Sequence, residues 1–114
     1  MDWYEERRRI AAGDVFREHR GGLLTAVTDV HILANSLYSK RLISQEQLEH
    51  AQLQGLTPSE RKVKLFDAIE ARLRRKSENL YTLLGVFEGD PLLEIFVSKI
   101  RGRFLQVCQS LSIL

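Results

Sequence analysis

Apolar positions recur along this chain at intervals of three and four, and short breaks cut the pattern into six stretches. The first runs to about Val27, with Phe16, Leu23, Leu24 and Val27 on one face. Gly21-Gly22 falls inside it. A glycine pair costs a helix about 1–2 kcal/mol against alanine, so a kink or a break is expected there. The pattern leaves open how far back the helix reaches through Arg7-Arg8-Arg9-Ile10. The second stretch starts at Thr28-Asp29, either of which can accept bonds from the free amides of a first turn. Val30, Leu33, Ala34 and Leu37 mark its inner face, and it should end near Lys40-Arg41, where cations suit the negative end of the helix dipole.

Helix-start signals then repeat. Ser44-Gln45-Glu46-Gln47 reads as a capping box opening a short third helix, with Leu48 and Ala51 facing inward and Gly55 closing it. Thr57-Pro58-Ser59-Glu60 combines a cap, a proline at the first helical position and a second capping box. The fourth helix carries Val63, Phe66, Ile69 and Leu73 as its buried stripe and runs to about Arg75. Ser77-Glu78-Asn79-Leu80 opens a fifth, lined by Leu80, Leu83, Leu84 and Phe87. Gly89-Asp90-Pro91 ends that helix and starts a long sixth. Its stripe is Leu93, Phe96 or Val97, Ile100, Phe104, Val107 and Leu111. No segment alternates apolar and polar residues as a half-buried strand would. The reading is an all-α, antiparallel bundle of six helices joined by short loops.

Composition fits one globular domain. The chain has 114 residues, 44% hydrophobic and 28% charged, enough to bury a core without disulfides or metal. Its single cysteine, Cys108, cannot pair within the chain, which suits a reducing compartment, cytosol or nucleus, and the chain is expected to be cytoplasmic. The first residues, Met1 to Glu6, are acidic and lack the apolar run of a signal peptide. No stretch approaches the roughly 18 apolar residues that span a bilayer.

Chemistry is sparse. His19, His31 and His50 fall on three different expected helices with no metal-ligand spacing between them. Cys108 sits among Val107 and Leu111 without a neighbouring base and reads as a buried structural thiol. No nucleophile elbow and no phosphate-binding glycine loop occurs. The sequence calls for no catalytic residue, no metal and no cofactor.

Charge is uneven instead. Residues 57–76 hold seven basic side chains (Arg61, Lys62, Lys64, Arg72, Arg74, Arg75, Lys76) against three acidic ones (Glu60, Asp67, Glu70). Residues 29–55 hold Asp29, Glu46 and Glu49 against Lys40 and Arg41. Glu46 and Glu49 are three apart and share a helix face, as do Arg17 and Arg20. Two opposite patches on one domain suit head-to-tail docking, which such charges orient more than they strengthen.

The order of these motifs resembles a known family. Phe16-Arg17-Glu18-His19-Arg20, followed by Leu37-Tyr38-Ser39-Lys40-Arg41-Leu42-Ile43-Ser44-Gln45-Glu46, looks like the first half of a caspase recruitment domain. That family has an HR motif on helix one, then a Lys/Arg-Gly-x-Leu-Thr/Ser-x-Glu run. Thr57 to Ile69 is similar to the family's fourth helix, and Leu80-Tyr81-Thr82-Leu83-Leu84 to its fifth. The likeness covers residues 14–103. Residues 1–13 extend helix one, and 104–114 extend helix six. Arg41 departs from the pattern, because it stands where the family has glycine.

The resemblance implies a death-fold Greek-key bundle with a kinked first helix and no catalysis. It implies homotypic association with another such domain, in a caspase, kinase, sensor or adaptor, or with itself, in apoptotic or innate-immune signalling. A basic face on helices one and four (Arg17, Arg20, Arg61, Lys62) would meet an acidic face on helices two and three (Asp29, Glu46, Glu49). Reversal of Arg20 to Glu is then expected to stop assembly without touching the fold. Two alternatives stay open. One is a nucleic-acid-binding domain using helix four, against which stand a net charge of only +2 and the lack of interleaved aromatics. The other is a death or death-effector domain of the same superfamily.

Overall fold

Helix starts in this chain fall where the sequence supplies an acceptor for the free amides. The computed structural model describes residues 3–53 and 55–110. The helices are α1 (Trp3–Ala26), α2 (Val30–Ser39), α3 (Gln45–Ala51), α4 (Pro58–Leu73), α5 (Asn79–Glu88), the single turn α6 (Pro91–Glu94) and α7 (Val97–Ser110). The protein is an all-α bundle, and no strand occurs among the described residues. Asp29 accepts from the Ile32 amide at 3.1 Å to cap α2. Both expected capping boxes form, Ser44 with Gln47 and Thr57 with Glu60. Asp90 accepts from the Leu92 amide at 2.9 Å. Helix α5 differs, because no side chain caps it. Ser77, just before it, is buried and donates its hydroxyl to Glu5 of α1, whose carboxylate also takes the Ser77 amide.

The C-terminus of α2 explains the residue that departs from the family pattern. The Leu42 amide bonds the Leu37 carbonyl and the Arg41 amide bonds the Tyr38 carbonyl, both at 2.9 Å. That pair of bonds is a Schellman closure, and it needs a left-handed residue just past the cap. Arg41 takes that conformation at φ 60°, and it is the one non-glycine residue with positive φ among those described. Leu42 and Leu37, the two apolar residues that such a closure brings together, are both buried.

Three expectations change. First, α1 does not break at Gly21-Gly22 but runs unbroken for 24 residues. Packing keeps the pair helical. A side chain at Gly22 would fall 2.9 Å from the Phe96 ring, so the bare backbone is what lets that ring lie against α1. The helix also reaches back through Arg7-Arg8-Arg9-Ile10 to Trp3. Second, Val63 on α4 is 45% exposed, and Leu65 takes the core position beside Phe66. Third, the sixth helix is not one piece. The chain leaves helix at Ile95-Phe96 and re-enters at Val97, so Phe96 turns onto Gly22 while Val97 goes to the core. Cys108, not Val107, is the fully buried residue of the last turns, and burial pushes its thiol up. Leu111 lies outside the described residues.

Spatial neighbours are not chain neighbours. Helix α1 packs on α4 and α7, α2 on α3, α4 and α5, and α3 on α4. The core holds four fully buried phenylalanines, Phe16, Phe66, Phe87 and Phe104. Phe16 of α1 meets Phe66 of α4 with ring centroids 5.7 Å apart. The two segments outside the family likeness also come together. Arg8 of α1 lies 5.2 Å over the Phe104 ring, and Tyr81 meets that ring edge-on at 6.0 Å.

Three substitutions test this packing. Gly21 has open space where a Cβ would go, so Gly21→Ala should stabilise the protein by up to about 1 kcal/mol in urea unfolding. Gly13→Ala should instead cost about 1–2 kcal/mol, because its Cβ would lie 2.5–2.7 Å from the Arg74 side chain. Arg41→Gly should gain about 0.5–1 kcal/mol by relieving the left-handed backbone, net of glycine's extra freedom when unfolded.

Candidate protein-interaction surfaces

Glu70 lies within the apolar stripe of α4, one position after Ile69, and is 6% exposed. A carboxylate there must find cations, since burying it alone costs far more than folding can spare. They come from α1. Arg17 donates to Glu70 at 2.5 Å, and the Arg20 guanidinium lies 3.5 Å from it. Arg74, one turn on along α4, lies at 3.4 Å. Two exposed acids complete the set: Asp67 takes Arg20 at 2.6 Å and Asp14 takes Arg74 at 3.0 Å. Burial opposes ionisation of Glu70, but the hydrogen bonds and charges of Arg17 and Arg74 outweigh it and hold the carboxyl below its usual range. Three arginines thus face three carboxylates across the α1–α4 seam.

That seam redraws the expected basic face. Arg17 keeps 69% of its side-chain surface exposed and stays reachable. Arg20 keeps only 18% and also donates to the Val63 carbonyl at 3.2 Å. Reversing Arg20 to Glu would set a third carboxylate beside Asp67 and Glu70, so the expectation that it leaves the fold untouched does not hold. Arg61 donates twice to the Leu53 carbonyl, at 2.7 and 3.0 Å. Lys62 donates to the Leu24 carbonyl at 3.1 Å, near the negative end of α1. All four expected cations therefore have partners inside the chain. Lys64, which was not singled out, is exposed on α4 beside Asp67 in a cleft shared with His50.

The acidic residues are less engaged. Glu46 and Glu49 are both exposed on α3, and Glu49 accepts a long 3.4 Å bond from Gln45. Asp29 is spent in part on capping α2. It sits apart from that pair, in a shallow site with His31, Pro58 and Arg61. Sequence reasoning missed Glu70. Its signal was present, because 66, 69, 70 and 73 form a complete i, i+3, i+4, i+7 set with one acid in it.

No other chemistry converges. Among the described residues no three His, Cys, Asp or Glu side chains gather as a metal ion would require. His19 spends Nδ1 on the Val15 carbonyl at 2.8 Å. No described helix is long and apolar enough to cross a membrane. No family model, no curated protein and no solved structure matches the chain, so the family likeness rests on the residues quoted above.

Glu70→Ala should cost roughly 2–4 kcal/mol, below the full cost of breaking a buried pair because Arg17 can turn to water. The depressed Glu70 stabilises the fold above the ordinary glutamate range, and that contribution is lost as pH falls through its lowered value. The wild type should therefore lose stability more steeply than Glu70→Ala between about pH 5 and 3 in chemical melts.

Proposed function

We propose that this chain is a protein-interaction module of the caspase recruitment kind, which binds other domains of that kind rather than catalysing a reaction. The observation that carries the reading is Arg41. Aligning Lys40 to Glu46 with the family's Lys/Arg-Gly-x-Leu-Thr/Ser-x-Glu run puts Arg41 on the glycine, and Arg41 is left-handed here at φ 60°. A backbone conformation that favours glycine, at the position of the glycine in that run, supports the likeness. Helix order adds support. The first helix lies against the last and the fourth, and the second against the fifth, so neighbours in space are not all neighbours in the chain, which is compatible with a Greek-key bundle.

The proposed contact is asymmetric. Glu46 and Glu49, exposed on α3, form the acidic side, with Asp29 at its margin. Arg17 and Lys64 form the basic side on α1 and α4, since Arg20, Arg61 and Lys62 are held within their own chain. Surfaces of this heterologous type do not close, so copies or partners stack. A caspase, kinase, sensor or adaptor bearing the same fold would be the partner, met in the cytoplasm in apoptotic or innate-immune signalling. The nucleic-acid reading is weaker, because Arg61, Lys62, Arg74 and Lys76 are engaged by carbonyls and carboxylates of this chain.

The test is light scattering across salt, followed by electron microscopy for filaments. Wild type should assemble at low salt and dissociate as salt rises. Glu46→Arg with Glu49→Arg should weaken assembly at least tenfold with an unchanged melting temperature, and mixing with Lys64→Glu should restore part of it. Normal assembly by the double variant would sink the proposal.

A further inference from the structure

Two polar side chains are buried among the described residues, Glu70 and Ser77. Arginines answer the first at the α1–α4 seam. The second is 4% exposed, in the turn between α4 and α5. Its hydroxyl and its amide both go to the Glu5 carboxylate near the start of α1, 72 residues away in the chain. Arg9, one turn further along α1, donates to the Arg75 carbonyl of the same turn at 3.4 Å. The start of α1 is thus pinned to the α4–α5 turn at two points. The residues just before Ser77 are Arg74, Arg75 and Lys76. Arginines two and three positions ahead of a hydroxyl suit the acidic pockets of arginine-directed protein kinases, because a guanidinium pairs with carboxylates in a fixed fork. The charge pairing proposed above uses none of this run.

We propose that Ser77 is a phosphorylation site and that its modification releases the start of α1. The donor is ATP. A bond forms between Ser77 Oγ and the γ-phosphorus, the bond from that phosphorus to the bridging oxygen breaks, ADP leaves, and the hydroxyl proton passes to the catalytic base of the kinase. The closed turn is not the substrate, because its hydroxyl is buried against a carboxylate. Residues 74–78 lie between helices, however, so the turn opens without unwinding α4 or α5. Opening parts Ser77 from Glu5, and Arg74 from Asp14 and Glu70. The phosphate then brings a charge of about −1.5 to −2 into a site that holds a neutral hydroxyl beside Glu5. Lys76, the adjacent cation, is already paired with Glu78 at 2.5 Å. Glu5 is therefore repelled, and the start of α1 stays off the turn. The released part ends at Gly13, where Arg74 crosses the bare backbone of α1. Beyond it α1 is held by Phe16 on Phe66 and by Arg17 and Arg20 on Glu70. Ser77 is thus reachable only from the open turn, and its phosphate keeps the turn from closing on Glu5 again.

The test is phosphorylation of the full chain by an arginine-directed kinase with magnesium and ATP, mapped by mass spectrometry. Ser77 should take up phosphate slowly in the wild type and about tenfold faster in Glu5→Ala, which frees the turn. Arg75→Ala, at an exposed side chain, should slow uptake about tenfold and leave the melting temperature unchanged. Hydrogen exchange reads the consequence. In the phosphorylated protein, the amides of residues 7–12 should lose protection about tenfold or more, while those of residues 62–73 keep theirs. Ser77→Ala loses the hydrogen bond without gaining charge, so it should loosen residues 7–12 less than the phosphate does. No phosphate on Ser77 in either wild type or Glu5→Ala would overturn the site. Equal rates in the two would overturn the gating by Glu5. Unchanged exchange of residues 7–12 after phosphorylation would overturn the release.

Discussion

A carboxylate placed among apolar side chains has to be neutralised locally or the fold does not form. Glu70 sits in the buried stripe of α4, and three guanidiniums from two helices close around it. That requirement sets how α1 lies on α4. Arg17 and Arg20 reach Glu70 only if their face of α1 turns toward α4, and the same rotation brings Phe16 onto Phe66. Once α1 is placed, its length makes it the spine for the chain's last helix. Arg103 of α7 grips Glu18 of α1 at 3.0 Å, and Arg8 covers Phe104.

The same constraint shapes what the surface can offer a partner. Of the cations that would have made a basic face, Arg20 is turned onto Asp67 and Glu70, and Arg61 and Lys62 onto backbone carbonyls of their own chain. On α1, α3 and α4 the charges still turned outward include Arg17, Lys64, Glu46 and Glu49. An interface built on these is modest in charge.

Legibility in the sequence followed the range of each interaction. The caps at Asp29, Ser44, Thr57 and Asp90 were readable because donor and acceptor lie within three residues. Arg41 was visible as a departure from a glycine pattern, but only the backbone shows that it takes the left-handed conformation glycine favours. Val63 was misplaced because periodicity cannot choose between adjacent rows of a stripe. Leu65 takes the core position and Val63 does not. The single turn at α6 was hidden for a related reason. Phe96 and Val97 both fit a helical stripe, and only the open backbone at Gly22 draws Phe96 out of it.

Where helices begin and end, and which residues are apolar enough to form a core, belonged to the linear order, since those choices are settled within one or two turns. Which way the arginines point did not. Arg17 and Glu70 are 53 residues apart, and no local signal tells a cation on a helix whether its partner will be water, a neighbouring molecule or a buried carboxylate. That was decided when α1 met α4, because a buried charge takes the nearest opposite charge available before any partner can compete for it.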